Sequence, residues 1–471
     1  MRKIYKYLIA ATFAATSLSS CTKFLDLKPE DRLLEEQVFS SAANTAAYLN
    51  GIYVKLGTAQ LYGENLTLTI PDILAQQYNM TYGATLSSYY TYSQYQYTSG
   101  QVANKTAEIW TNAYNAIFNA NRLISGMDKN PGVLTSQTST TFRGEAIAMR
   151  AMLHFDLLRL FGPMYNSPDS VLKSIPYNTS AEITVNPFLP ANEVMSLIMS
   201  DLSKAESLLS NDKTMTFGKK YKFNYYTVKA LQARVNLYRG NKEAALACAK
   251  VLIDNSALFP WVDKFFLNEK GNPDRIFSTE MILGIYNDNL SSTSNGYLKL
   301  FSGGLADNAI LAPKDERLTA LYADASADWR YSSQFWDVPG SKIYRTFLKY
   351  ADVEDRTKPF RNTIPLLKLS EMYYIAAECE SDPNIASGYL NKVRNQRGID
   401  ITTNSVPATE AEIRKEYKKE FLGEGQLFYY YKRTNTAVIP NGSKVSDTDA
   451  PITMGPAQYV IPIPNVEIEN R

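Results

Sequence analysis

One histidine and three cysteines in 471 residues leave little for the commonest catalytic kits. His154 is alone, and Cys21, Cys248 and Cys379 form no CxxC pair, so structural zinc and HExxH metalloprotease chemistry lack their ligands. No GxSxG elbow and no Walker-type phosphate loop occurs either. An excess of one charge is also missing: 49 Lys and Arg against 47 Asp and Glu leave +2, without the basic surplus that nucleic-acid binding requires. Past the amino terminus, no apolar run approaches the roughly 20 residues of a membrane-spanning helix. What remains, 45% hydrophobic and 20% charged, is ordinary globular chemistry and excludes a disordered chain. The unusual abundance is tyrosine, 33 against 20 phenylalanines, a side chain with an apolar face and a polar edge.

The first 20 residues have their own grammar. Arg2, Lys3 and Lys6 precede an uncharged, largely apolar stretch from Tyr7 to Leu18, the pattern of a secretory signal. Leu18-Ser19-Ser20-Cys21 resembles the bacterial lipobox, in which the cysteine thiol is acylated and becomes the first residue. Several acyl chains, at about 0.8 kcal/mol per buried CH₂, would anchor the protein stably in lipid. Removing residues 1–20 takes three of the 49 basic residues and no acidic one, so 46 face 47 and the remaining chain carries −1. One further cysteine pair in so long an exported chain is no disulfide framework, and Cys248 and Cys379 are expected as buried free thiols.

Apolar residues at helical spacing predict helices near 41–56, 104–127, 142–161, 190–209, 224–239, 241–254, 366–380, 384–397 and 409–432. Ala233, Gly240, Ala245, Ala249 and Leu252 repeat the small-residue spacing of a tetratricopeptide repeat, and Leu390, Val393 and Gly398 suggest a second half-repeat. The expected fold class is mainly α: a tetratricopeptide-like α-α superhelix with minor β. Its organisation is a signal over 1–20, a tether over 21–40 and one body over 41–471. Within that body the scaffold lies mainly at 41–56, 104–254 and 364–432. Residues 58–100 and 258–363, rich in Gly, Asn, Ser and aromatics, read as irregular loop regions, with a possible short strand at Glu280 to Tyr286.

Several stretches together resemble the SusD/RagB family of Bacteroidetes outer-membrane lipoproteins. CTKFLDLKPED at 21–31 is similar to its tether, and Trp110, Tyr114, Asn119 and Asn121 match an early helix. GEAIAMRAMLHFDLLRLFG at 144–162 resembles its most recognisable stretch through Arg150, Phe155, Asp156, Leu157, Phe161 and Gly162. Asp315 to Leu318 resembles a DPRL turn, LNKVRNQRG at 390–398 matches almost unchanged, and the carboxyl terminus IPIPNVEIENR is similar to the family's ending. The chain departs from the pattern at His154 and Glu316, where Tyr and Pro are common, and at Leu427 and Tyr430, which replace Arg and Asp. The resemblance implies a cell-surface protein, lipid-anchored through Cys21. It would bind an oligosaccharide and deliver it to a SusC-like TonB-dependent transporter, with no chemistry and no cofactor or metal of its own. A RagB-like peptide binder and a transporter-associated scaffold without a ligand are the alternatives.

Candidate ligand residues come from the two irregular regions. From Ile73 to Asn104 there is no charged residue, and Tyr78, Tyr82, Tyr89 and Tyr92 crowd there with Asn79; tyrosine can stack on a sugar's C–H face, and an amide can bond its hydroxyls. Further on, Tyr297, Trp329, Arg330 and Trp336 combine aromatic faces with a guanidinium. His154, with apolar neighbours, reads as a core imidazole, and Trp110 and Trp261 as packing. Glu416, Glu420 and Glu424 repeat at helical spacing, which suits a solvated or ion-paired face and not the opposed carboxylates of a glycosidase.

Overall fold

Small polar residues start the helices. Ser41 opens α1 (Ala42–Leu56) by accepting the Asn44 N–H, α2 spans Gly100–Lys129, and Thr135 opens α3 (Ser136–Phe161) on the Thr138 N–H. After α4 (Ala191–Leu209), Asn224 and Thr227 exchange hydrogen bonds in a capping box that begins α5 (Tyr225–Tyr238). Gly240, at φ +81°, turns the chain in a conformation that favours glycine, and Asn241 caps α6 (Lys242–Asp254). α7 (Leu369–Cys379) follows a strand, Asp382 and Pro383 start α8 (Pro383–Asn395), and Thr409 caps α9 (Glu410–Glu420), which α10 (Leu427–Arg433) follows. The computed structural model describes residues 35–80, 86–165, 169–291, 297–323, 326–332, 334–337, 342–469 and 471. Residues 1–34, with the expected signal, Cys21 and most of the tether, lie outside the described residues, as does Tyr82.

Successive helices pack on one another: α2 on α3, α3 on α4, then α5, α6, α7 and α8 in series. The small face expected of α6 is the buried one, Ala245, Ala249 and Leu252, with Ala233 of α5 also buried. This is the mainly helical, tetratricopeptide-like scaffold expected. Strands are short. The longest pair joins β1 (Met281–Tyr286) to Thr363–Lys368 in antiparallel register, Tyr286 opposite Thr363 and Ile285 opposite Ile364. β1 is the run expected at Glu280 to Tyr286. The expected 366–380 helix is therefore a strand end followed by α7.

Two further expectations need correction. The 409–432 helix is two, because Gly423 and Gly425 take φ of +75° and +69° and turn the chain between α9 and α10. The 58–100 region is also less irregular than its sequence suggests. It contains a π-helix at Asn65–Thr69 that runs into Ile70–Leu74, and a further helix at Ser87–Ser93. Every residue from Asn65 to Leu74 is buried, so no exposed face imposes the polar periodicity by which a surface helix is recognised. Among the described residues, no helix is long and apolar enough to cross a membrane.

Candidate functional site

The two loop regions converge. The Asn79 N–H donates to the Ala312 carbonyl at 2.8 Å, and Ser443 Oγ accepts the Met80 N–H at 3.1 Å and donates to the Met80 carbonyl at 3.2 Å. The Leu305 carbonyl accepts from Tyr344 Oη at 2.7 Å and Lys342 Nζ at 2.8 Å. Beneath these contacts Ile310, Ala312 and Tyr344 form a small hydrophobic cluster of their own.

Most of the aromatic groups singled out from the sequence are buried and hold the loop regions from inside. Tyr78 is fully buried and donates to the Leu68 carbonyl at 2.9 Å, while Asn79, half-buried, contributes its backbone. Tyr89 is buried with its hydroxyl 2.5 Å from Glu64 Oε1, and Tyr92 is buried against Thr106 Oγ1 at 2.7 Å. Tyr297 stacks on Phe301 with centroids 5.6 Å apart and bonds the Phe347 carbonyl. These hydroxyls have partners, and the rings offer no open face. Trp329 is half-buried against the close approach of Gly398, and Trp336, 4% exposed, donates Nε1 to the Arg330 carbonyl at 2.9 Å.

Arg330 belongs to a buried charge cluster. It reaches Asp328 and Glu416 at 2.7 Å each and Glu420 at 3.0 Å. Arg394 holds the other Glu416 oxygen at 2.9 Å, and Arg397 bridges Glu280 and Glu420 at 2.7 and 2.8 Å. Lys368 and Lys349 converge on Glu424. The three glutamates are therefore ion-paired and buried. Burial alone would raise the Glu416 pKa, but Arg330, Lys419 and Arg394 outweigh it and hold it at about 2. His154 is a core imidazole stacked on Tyr177 with centroids 3.9 Å apart; Nδ1 lies 2.9 Å from the Arg150 carbonyl and Nε2 accepts the Asn178 N–H at 3.1 Å. Burial lowers its pKa to about 3, which leaves the ring neutral.

Two concavities are large enough for a ligand. One is a groove of about 380 Å³ at the end of β1, walled by Tyr53, Tyr221 and Tyr286 and edged by Gln60, Asn287 and Asn289. Tyr286 is 50% exposed, and its position is set by Gly57, which lies so close to the Tyr286 carbonyl oxygen that a methyl group there would collide with it. Asn287 Nδ2 donates to the Gly63 carbonyl at 3.1 Å and pins the loop, while Tyr53 donates to Glu145 at 2.7 Å and accepts the Phe223 N–H. Among the described residues, Asp288 is the only charged one on the wall. Sequence reasoning passed over this groove, yet Tyr-Asn-Asp-Asn at the end of an alternating run, an aromatic followed by amides where a strand stops, was the available signal. The second concavity, about 550 Å³, lies between the helical turn Asp315–Leu321, α9 and the 440–447 loop; of the residues predicted from the sequence it takes in Trp336.

Comparison with known proteins gives the family of the chain. A family profile described as starch-binding and associating with the outer membrane matches residues 23–237, and a profile of the SusD family matches residues 336–470. A SusD-like protein of Formosa agariphila, P2, is 25% identical over 425 residues, covering 87% of this chain and 76% of that protein. Among solved structures, a SusD superfamily protein from Bacteroides thetaiotaomicron is similar with a TM-score of 0.71 and 24% identity, over 91% of this chain and 98% of the other. A laminarin-binding SusD-like protein is similar with a TM-score of 0.65 and 21% identity, over 91% and 97%.

Proposed function

We propose a function from one premise: this chain belongs to the SusD/RagB family, a family of glycan-binding proteins associated with the outer membrane. The protein is a cell-surface lipoprotein, anchored through acylated Cys21, that captures a neutral oligosaccharide and passes it to a SusC-like TonB-dependent transporter without chemically altering it. The observation that carries the ligand class is the groove at the end of β1, which the half-exposed Tyr286 lines together with Gln60, Asn289 and, among the described residues, a single carboxylate. A pyranose offers an apolar C–H face to the ring and hydroxyls to the amides, so one wall satisfies both. The similarity to a laminarin-binding protein supports oligosaccharide over peptide.

The test is calorimetric titration with a panel of neutral oligosaccharides. Tyr286→Ala is expected to weaken the best ligand about tenfold, the loss of roughly 1.4 kcal/mol of stacking and burial. Undiminished affinity in a Tyr286→Ala, Asn289→Ala double variant would remove the groove from consideration. Cys21→Ala is expected to move the protein from the membrane fraction to the soluble one; retention in the membrane would contradict the anchor.

A further inference from the structure

The charge in the groove at the end of β1 is of one sign, and its neighbours do not cancel it. Lys219 and Lys220 lie in the short turn Phe217–Tyr221 that carries Tyr221 to the groove. Lys219 is held by Asp212 at 2.9 Å, and Lys220 donates to the Ser278 and Thr279 carbonyls at 3.0 and 2.6 Å. Arg361, two residues before the strand partner of Tyr286, is gripped by both oxygens of Asp352 at 2.6 and 2.9 Å. Among the described residues no cation pairs with Asp288, so its charge stands uncompensated on the wall.

The turn that carries Asp288 is fixed at both ends and unused at its tip. Asn287 donates its N–H to the Asn362 carbonyl at 2.9 Å and Nδ2 to the Gly63 carbonyl at 3.1 Å. Asn287 Oδ1 accepts the Asn289 N–H at 2.9 Å, and its carbonyl accepts the Leu290 N–H at 3.0 Å. Asn287 and Leu290 are buried, while Asp288 and Asn289 between them are exposed, and neither of those two side chains has a hydrogen-bond partner among the described residues. Other polar side chains of the wall are already engaged: Tyr53 with Glu145 and the Phe223 N–H, Tyr221 with the Pro359 carbonyl, and Thr58 with the Lys55 carbonyl. Gln60, Tyr286, Asp288 and Asn289 are left to meet a ligand.

A sugar hydroxyl both donates and accepts, so a wall that binds a pair of them needs acceptors as well as donors. The amides of Gln60 and Asn289 offer both. A carboxylate only accepts, but its two oxygens can take two adjacent hydroxyls together, in bonds about twice as strong as those to a neutral acceptor. The same charge opposes an anionic substituent: at about 4 Å, like charges in water weaken binding about fivefold.

We propose that Asp288 sets the sugar specificity of this groove: it takes two adjacent free hydroxyls of one sugar unit, and its uncompensated charge turns acidic sugars away. This inference rests on the groove being the sugar site, as proposed above.

The test titrates the full chain in detergent with oligosaccharides paired by linkage, each neutral glycan against its C6-carboxylate counterpart: cellotetraose with cellotetrauronate, mannotetraose with tetramannuronate, and laminaritetraose with its C6-oxidised form. In any pair whose neutral member binds, the uronate is expected to bind at least about fivefold more weakly, and added salt should narrow the gap. Asp288→Asn breaks no hydrogen bond among the described residues and is expected to leave the thermal midpoint unchanged. It should weaken the neutral glycan about tenfold and close most of the gap to the uronate. Equal affinities within the pairs, an unchanged gap or unchanged neutral affinity in Asp288→Asn, or no binding in any pair would overturn the proposal. Tyr286→Ala separates the two readings: if it weakens the neutral glycan while Asp288→Asn leaves the gap as it was, the groove stands and this inference alone fails. If the Tyr286→Ala, Asn289→Ala double variant binds the neutral glycan undiminished, the groove reading itself fails.

Discussion

Tyr89 donates its hydroxyl to Glu64 at 2.5 Å inside the protein, and Lys105 Nζ sits 4.9 Å from its ring centroid. Replacing it with Phe withdraws a donor from a buried carboxylate, which costs about 1–3 kcal/mol. The expected result for Tyr89→Phe is a lower urea midpoint with no change in oligosaccharide affinity; a ligand-contacting tyrosine would show the reverse. The same logic explains why the tyrosine surplus was legible as chemistry but not as location. Tyr62 and Tyr53 likewise end on Asp156 and Glu145, carboxylates over 90 residues away in sequence, and no local pattern announces such a partner. Lys432 gives the clearest pH effect. It is 1% exposed, donates to the Arg159 and Gly162 carbonyls at 2.8 and 2.7 Å, and is pushed down to about 7 by burial and then by Arg159. Between pH 7 and the ordinary lysine value of 10.5 the unfolded chain holds a proton that the folded one has released, so stability rises with pH through that window. One such group contributes at most about 1.4 kcal/mol per pH unit. Lys349 and Lys220, both lowered to about 8, act in the same direction. Lys432→Met is therefore expected to make the rise in the urea midpoint from pH 7 to pH 9.5 shallower without abolishing it.

Between α9 and α10 the chain keeps its apolar spacing but not its helix. Leu422, Leu427 and Tyr430 fall where a continuous helix would bury them, and all three are buried, so periodicity alone could not find the break. The glycines could. Gly423 N–H donates to Asp72 Oδ2 at 2.5 Å, its carbonyl accepts from Tyr350 at 3.0 Å, and Gly425 lies so near the Leu66 carbonyl that a methyl group would meet that oxygen at 2.8 Å. The turn thus clamps the buried 65–74 helices to the scaffold. Gly425→Ala combines a positive φ with a backbone collision and is expected to cost about 1–3 kcal/mol. Hydrogen exchange should show faster opening at Ile70–Leu74 than at α5 or α6; uniform destabilisation would mean the turn is not a clamp. Elements with a solvent face, such as α1, α4 and α6, were readable almost to the residue, and so was the buried part of the long α3, whereas the short buried helices at 65–74 were not, because they have neither a solvent face nor the length to show a period.

Across the whole molecule, the loop regions are tied to the helical scaffold largely through charge. Glu280 precedes β1, Asp328 and Arg330 lie in the second loop region, Lys368 ends the partner strand, Arg394 comes from α8 and Arg397 from the turn after it, and Glu416 and Glu420 come from α9. Five stretches of chain separate in sequence thus meet in one dry cluster, which is why Arg330 could be recognised as a specific polar group but not as a structural one. Buried ion pairs add little over apolar packing, but removing one member strands the rest at about 3–5 kcal/mol, so a cluster of this kind enforces a single arrangement of the loops. Glu416 is the member whose protonation tests this. Its pKa of about 2 lies below the ordinary 4.5, so its contribution is complete above pH 4.5 and is lost as pH falls toward 2. Glu416→Gln is expected to lower the neutral urea midpoint by the cost of stranding Arg330 and Arg394, and to flatten the acid slope between pH 4.5 and 2. Hydrogen exchange in residues 326–332 should rise in the variant ahead of exchange in α5 and α6. Parallel acid slopes in the two proteins would mean that acid acts elsewhere and that the loops are held by packing alone.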